Sequence, residues 1–342
     1  MTVRTVAGPG RGPGGVPEAI ALSPILSARY RGRDLEQIRA AAPGARLVTV
    51  SIEGLVDGPL DDVEVLLRGF LSAEAFDRLL ARAPRLAWVH SASAGVERVL
   101  TPAGRERGLV VTNARGVFSD PIAEYVLMMI LAVSRRLPQL LELQREHTWQ
   151  PLEGTELRDV TIGIVGLGSI GRAIAVLATA FGSRVVATRR RPGADAGDGA
   201  ARIDRLTGPD GLHDLLAESD FIVLAAPLTP ETEGLIDEAA LAAVKPGAWL
   251  INVARGRLVD ERALLRALRE GPLGGAVLDA FRDEPQPPGS PFYDLPNVIV
   301  TPHTSWSSGR VLDRSVELFC TNLVRFAAGE PLLNVVDPGV GY

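Results

Sequence analysis

The sequence predicts an α/β protein built from two parallel-sheet domains, and three observations carry that reading. The first is Gly166-Leu167-Gly168-Ser169-Ile170-Gly171, set between a strand-like apolar run and a helix-like one. The second is its place in the chain: about 150 residues precede it, room for another domain. The third is that those earlier residues alternate short apolar runs with helical ones, the rhythm of parallel sheets. A ligand cleft between two such domains is the expected arrangement.

The elements follow in order. Residues 1–17 include Gly8-Pro9-Gly10-Arg11-Gly12-Pro13-Gly14-Gly15. They are expected to form a mobile tail, not a secretory leader, which needs an apolar stretch. Residues 19–22, 46–50, 63–67, 86–89 and 109–112 read as strands, with helices over 34–42 and 73–83. Residues 121–143 read as one long helix, capped by Asp120 with Pro121 in its first turn. Residues 125–133 are apolar on every side, so this helix should be buried all round. One domain offers it only one face. It is either wedged between the two domains or also covered by a second subunit; we expect the second, and hence a homodimer.

Residues 160–165 form the strand before the glycine motif and 170–181 the helix after it. In that setting the first glycine permits a tight turn and the second lets backbone approach a pyrophosphate. The third lets the helix pack on the strand. The helix N-terminus offers N–H groups and a positive dipole end to the phosphates. Strands at 184–188, 221–225, 248–252, 276–278 and 298–300 continue a Rossmann pattern, with helices at 212–218 and from Asp260 to 270. Pro227, Gly256 and Asp279 fall just beyond the carboxyl ends of strands, the edge where open α/β sheets bind ligands.

Composition narrows the function classes. The chain has 342 residues, 46% of them apolar, and a net charge of −5. That describes a globular protein with cores to bury, and its mild acidity argues against nucleic acid as a partner. The single Cys320 cannot form an internal disulfide, and the longest apolar run is too short to span a bilayer. A cytoplasmic protein with no membrane partner and no metal site is expected.

Three segments bring chemistry to the sheet edge: Asn252-Val253-Ala254-Arg255-Gly256, Asp279-Ala280-Phe281-Arg282-Asp283-Glu284-Pro285 and Thr301-Pro302-His303. Singly, Arg255 could be a surface arginine, Glu284-Pro285 a turn and His303 a structural histidine. In this order behind the glycine motif they point to one site. With it they make the chain resemble the D-isomer-specific 2-hydroxyacid dehydrogenase family across nearly its whole length. The resemblance implies two doubly wound parallel-sheet domains, a Rossmann cofactor domain inserted into a flavodoxin-like substrate domain. The implied boundaries are 1–113 with 307–342 for the substrate domain and 114–306 for the NAD(P)-binding domain, residues 311–326 being a returning helix.

The implied reaction is hydride transfer between a nicotinamide cofactor and a small 2-keto or 2-hydroxy acid. By resemblance His303 is the acid/base, suited by a pKa near working pH. Glu284 pairs with it, fixing the ring and favouring its protonated form. Arg255 grips the substrate carboxylate and keto oxygen and stabilises charge growing there. Ala94 and Gly95, in Ser91-Ala92-Ser93-Ala94-Gly95-Val96, resemble the loop whose backbone N–H groups hold the substrate carboxylate. Glu97 stands where many members have aspartate.

Cofactor positions implied in the same way are Gly166, Gly168, Ser169, Ile170 and Gly171, then Thr188, Arg189 and Arg190, and finally Pro227, Val253 and Asp279. Asp279 would lie beside the nicotinamide carboxamide, or else cap its strand. The acid that binds the adenosine ribose of NAD is absent: the strand ends Thr188-Arg189-Arg190, and the next acid is Asp195. Arginine there suits a 2′-phosphate, so NADP(H) is expected, with NAD(H) as a poorer cofactor.

The family includes glyoxylate and hydroxypyruvate reductases, broad 2-ketoacid reductases and phosphoglycerate dehydrogenases. No regulatory domain fits after Pro331, which argues against the larger phosphoglycerate enzymes. Trp306 either shapes the pocket or packs. The alternative function is a catalytically weak, dinucleotide-sensing corepressor-like interaction protein of the same fold.

Overall fold

Short apolar runs bounded by glycine, proline and polar residues form parallel strands in both halves of the chain. The computed structural model describes residues 14–25, 30–96, 98–192 and 202–339. The stretch up to residue 13, Glu97 and Asp195 lie outside the described residues. The chain divides into two compact units, one drawn from Met1–Val117 and Ser308–Tyr342, the other from Phe118–Ser307.

The first unit holds β1 (Ala19–Leu22), β2 (Arg46–Thr49), β3 (Val63–Arg68), β4 (Trp88–Ser91) and β5 (Val110–Asn113), all parallel, in the order β2-β1-β3-β4-β5. β1, β3 and β4 are buried along their whole length, as parallel strands covered on both faces must be. Ala19 and Ala21 join one core cluster and Ile20 and Leu22 the other, so the two-residue strand period feeds two layers. α2 (Ala73–Arg82) supplies Phe76 and Leu79 to the first layer. α10 (Val311–Ala328) supplies Phe319, Leu323 and Phe326 to the second, where α1 (Gly32–Ala41) packs beside it. Cys320 is half-buried on α10, and burial pushes its thiol up to about 11, the behaviour of an unreactive core thiol. α3 (Pro102–Glu106) is a short helix between β4 and β5. The strand read over 86–89 begins two residues later, at Trp88, although Leu86 is buried in the core as expected.

The second unit has seven parallel strands: β6 (Thr161–Val165), β7 (Arg184–Thr188), β8 (Arg205–Thr207), β9 (Phe221–Leu224), β10 (Trp249–Asn252), β11 (Gly275–Leu278) and β12 (Val298–Val300). Their order, β12-β11-β10-β9-β6-β7-β8, reverses between β6 and β9, the doubly wound pattern with its switch point there. β8 escapes a sequence reading because it is a three-residue edge strand, half-buried throughout. α6 (Ser169–Ala180), α7 (Leu212–Glu218), α8 (Glu238–Ala242) and α9 (Glu261–Arg269) cover the faces. Asp260 caps α9, its side chain accepting from the Arg262 and Ala263 N–H groups.

The long helix expected over 121–143 is two helices. α4 runs Ser119–Ser134 and α5 Leu137–Arg145, with Arg136 between them in the left-handed region at φ 58°. The cause is Pro138. It has no N–H to give the Ser134 carbonyl four residues back, and its ring would clash there. The Thr155 N–H takes that carbonyl instead, at 2.9 Å. Asp120 is not the cap either: α4 begins at Ser119 behind Phe118, and Asp120 lies in the first turn. Nor is α4 buried all round. Ile122, Val126, Leu127, Met129, Ile130 and Val133 are buried, chiefly against α6, but Glu124, Met128 and Arg135 face outward and Met128 is 52% exposed.

Candidate active site

The glycine turn is built from the end of β6. Gly166 has φ 102°, and its N–H and that of Leu167 both donate to the Thr188 carbonyl at the end of β7, at 3.1 and 3.2 Å. A Cβ on Gly166 would lie 2.6 Å from the Ala226 backbone beyond β9, and one on Gly171 2.3 Å from the Gly166 carbonyl oxygen. Those two glycines are required by packing. Gly168 is different: it is exposed, stands at the N-cap of α6, and a Cβ there would meet nothing within 4 Å. Its bareness is not demanded by the protein's own packing. It leaves the backbone open at a helix N-terminus, with Ser169 and Ile170 half-buried beside it. The turn therefore fits the pyrophosphate of a dinucleotide.

Thr188 is buried, Arg189 half-buried and Arg190 exposed. The Arg189 N–H donates to the Thr207 carbonyl at 2.9 Å, joining the strand end to β8. Arg190 lies close enough to the segment beyond β9 for its charge to act on Glu231. That carboxyl is held below the usual glutamate range mainly by the Thr229 hydroxyl and its own backbone N–H. Pro227, in the same segment, is exposed, and its carbonyl accepts the Thr232 hydroxyl at 2.7 Å. Val253 is buried just past β10.

The three segments read as catalytic come together at the ends of β10, β11 and β12. His303 Nδ1 lies 2.8 Å from Glu284 Oε2, and Glu284 Oε1 accepts the Phe281 N–H at 2.9 Å. Both side chains are 37% exposed. Burial pushes the Glu284 carboxyl up. The hydrogen bonds from His303 and Phe281, with the charges of His303 and Arg255, outweigh that and hold it below the usual glutamate range. Arg255 is therefore near enough for its charge to be felt at Glu284. Its backbone is fixed by Asn252, whose Nδ2 donates to the Arg255 carbonyl at 3.0 Å and whose Oδ1 accepts the Ala254 N–H at 3.1 Å. Gly256 allows a very close approach: a Cβ there would stand 1.9 Å from the Phe281 carbonyl carbon.

Asp279 is 1% exposed. Its Oδ1 accepts the Thr301 hydroxyl at 2.6 Å and the Thr304 N–H at 2.8 Å, and its Oδ2 accepts the Ser305 N–H at 3.0 Å. Those donors bracket His303, whose backbone is left-handed at φ 48°. A non-glycine residue there is strained by on the order of 1–3 kcal/mol and persists only where its surroundings impose it. Tyr125, on α4, places its hydroxyl 2.7 Å from Thr301 Oγ1. Trp306 packs: it is part of the α4 and α6 core layer and meets Phe118 edge-on at 6.5 Å. Tyr125 and Thr301 were not among the sequence candidates. Thr301 had a usable signal in its place directly before Pro302-His303; Tyr125 had none.

In the first unit, the 91–96 segment leaves the end of β4. The Gly95 carbonyl accepts the Ser93 hydroxyl at 2.6 Å, and the Ala94 carbonyl accepts Asn113 Nδ2 at 2.8 Å. Both residues are half-buried. Among the described residues no group of three or more His, Cys, Asp or Glu could hold a metal, and no helix is long and apolar enough to cross a membrane.

Residues 127–305 match the family model for the D-isomer specific 2-hydroxyacid dehydrogenase, NAD binding domain. The chain is similar to D-3-phosphoglycerate dehydrogenase of Mycobacterium tuberculosis, 40% identical over 299 residues, 84% of this chain and 55% of that protein. It thus spans about half the length of such relatives. Glyoxylate reductase of Thermococcus litoralis is 37% identical over 273 residues, 77% of this chain and 80% of the relative. Among solved structures, a D-isomer specific 2-hydroxyacid dehydrogenase from Xanthobacter autotrophicus Py2, in complex with NADPH and MES, superposes with a TM-score of 0.83 at 33% identity. That match covers 96% of this chain and all of the other.

Proposed function

The chain belongs to the D-isomer-specific 2-hydroxyacid dehydrogenase family, and we propose that it reduces a small 2-keto acid to the D-2-hydroxy acid with NADPH, and runs the reverse with NADP. The observation that carries this reading is the His303–Glu284 pair with Arg255 beside it at the carboxyl edge of the β10–β12 strands. The nicotinamide dinucleotide, when bound, supplies or takes up the hydride. Arg255 binds the keto acid through its carboxylate and carbonyl oxygen, a two-pronged grip that also stabilises negative charge on that oxygen. Glu284 occupies His303 Nδ1, which leaves Nε2 as the atom that gives the carbonyl oxygen its proton and takes it back in oxidation. Ala94 and Gly95 keep the role the resemblance implies, holding the substrate carboxylate through backbone N–H groups.

For the cofactor, Gly166, Gly168, Ser169, Ile170 and Gly171 hold the pyrophosphate at the start of α6. Thr188, Arg189 and Arg190 meet the adenosine ribose and its 2′-phosphate. Pro227, Val253 and Asp279 line the rest; about four acceptor positions on a carboxylate, three of them used, leave Asp279 one for the carboxamide. The relatives' names point to glyoxylate and similar short keto acids as first substrates to try. The test is NADPH consumption over a panel of 2-keto acids; no turnover on any of them would defeat the proposal. A single arginine–phosphate contact of about 1.5–3 kcal/mol predicts an NADPH preference of roughly 10- to 100-fold. The Arg189/Arg190 double alanine variant should lose that preference while keeping NADH-linked rate. Equal loss with both cofactors would leave these arginines without the role.

We also propose a homodimer through α4. Its outward stripe runs Glu124, Met128, Leu131, Ala132, Arg135, and with Leu137, Leu140, Leu177 and Phe181 it lines an apolar groove of about 600 Å³. An acid at one end and a base at the other suit an antiparallel second copy of the same stripe. Sedimentation at micromolar concentration should show a dimer, and Met128→Lys should shift it to monomer.

A further inference from the structure

Asp279 is a buried carboxylate at the end of β11, and among the described residues every donor it receives comes from the segment that carries His303. It is anchored from below by its own N–H, which donates to the Asn252 carbonyl at 3.0 Å. Above it, the Thr301 hydroxyl lies on one side of His303 and the Thr304 and Ser305 N–H groups on the other. The direction of the hydroxyl bonds is determined. Thr301 gives its one hydroxyl proton to Asp279 Oδ1. The Tyr125 hydroxyl, 2.7 Å from Thr301 Oγ1, must then be the donor in that pair. Burial pushes the Tyr125 phenol up to about 12, with Asp279's charge adding to it and the Thr301 bond opposing it, so its proton is retained across the working range. Tyr125 is the outermost link of a chain that starts on α4, passes through Thr301, and ends on the carboxylate holding the His303 turn.

We infer that Tyr125 and Thr301 are positioning residues for the reaction. They orient Asp279 so that it clamps the strained His303 turn and aims the imidazole at the substrate. Neither side chain reaches Arg255 or Glu284 by any hydrogen bond found among the described residues. Their effect should therefore fall on the proton-transfer step and leave substrate capture alone. This rests on the acid/base role proposed for His303.

The experiment is a double-mutant cycle on the full-length protein with its best keto acid. Thr301→Val removes the hydroxyl at nearly constant volume and should lower kcat by about 10- to 100-fold, with KM within about threefold of wild type. Thr301→Ser restores the hydroxyl and should bring kcat back to within about threefold. Tyr125→Phe should lower kcat by about 3- to 10-fold, since it removes a donor one bond further out. In a His303→Ala background, Thr301→Val should change the residual rate by less than about twofold, because both substitutions act through one group. Wild-type kcat in Tyr125→Phe overturns the inference even if Thr301→Val fails to fold. So does a Thr301→Val loss that appears in full on top of His303→Ala, or one that appears in KM alone. If His303→Ala itself turns over normally, the acid/base assignment falls, and this inference with it.

Discussion

Two histidines, one in each unit, use the same ring atom for opposite ends. His90 lies on β4, an interior strand of the five-stranded sheet, 0% exposed, among Trp88 and Phe319. Its Nδ1 is 2.8 Å from the Thr112 hydroxyl, and its Nε2 has no hydrogen-bond partner among the described residues. Burial alone pushes its pKa down to about 3, so it stays neutral. His303 stands past the end of β12, its Nδ1 is 2.8 Å from a carboxylate, and the side chain is 37% exposed. A hydroxyl in an apolar layer gives a proton nowhere to go. A carboxylate partner and an open second nitrogen allow one to be exchanged. What separates a structural imidazole from a working one is its partner and its access, and residue type says nothing about either.

The sharpest way to break the comparison is to remove the working ring. His303→Ala should lower turnover by about 10²- to 10⁴-fold while cofactor fluorescence titrates normally. Near-normal turnover would make His303 as structural as His90. A second substitution makes the two sites more alike. Glu284→Gln replaces the carboxylate by a neutral partner, so a protonated His303 loses its stabilisation. Reduction needs that form, so turnover should fall more at alkaline than at neutral pH; a superimposable pH–rate profile would contradict the pairing. The smallest effect on rate belongs to His90→Leu, whose kcat should match wild type. Its effect is on stability. An unfolded His90 binds a proton below its ordinary value of 6.5, and the folded one does so only near 3. Stability from this group is therefore full above 6.5 and declines as the pH falls through that window, by at most about 1.4 kcal/mol per unit. Urea unfolding across that range should show a flatter decline in the variant; an unchanged slope would mean that His90 is protonated in the fold.

The contrast also marks where a sequence can be read. His303 was distinguishable because it follows Pro302 at the end of an ordered series of motifs, and His90 carries no such signal. Asp260 announced α9 because a cap acts within three residues. Pro138 was equally visible, but the apolar run around it concealed the break it imposes on α4 and α5. The Tyr125–Thr301 contact joins residues 176 apart, and no local pattern encodes that distance. Strand ends were legible wherever an apolar run stopped at a glycine or a polar residue. β8 has no such run and was missed.

Gly256 sets a limit on what can be redesigned here. Its α-carbon rests on the Phe281–Arg282 peptide so closely that even a methyl group would meet backbone at 1.9 Å. The stretch bearing Arg255 and the stretch bearing Glu284 are thus keyed to each other by the absence of one atom. Loops grafted to change substrate scope can vary in length or charge on either side, but a graft that brings any other residue to this position would part the guanidinium from the carboxylate it influences.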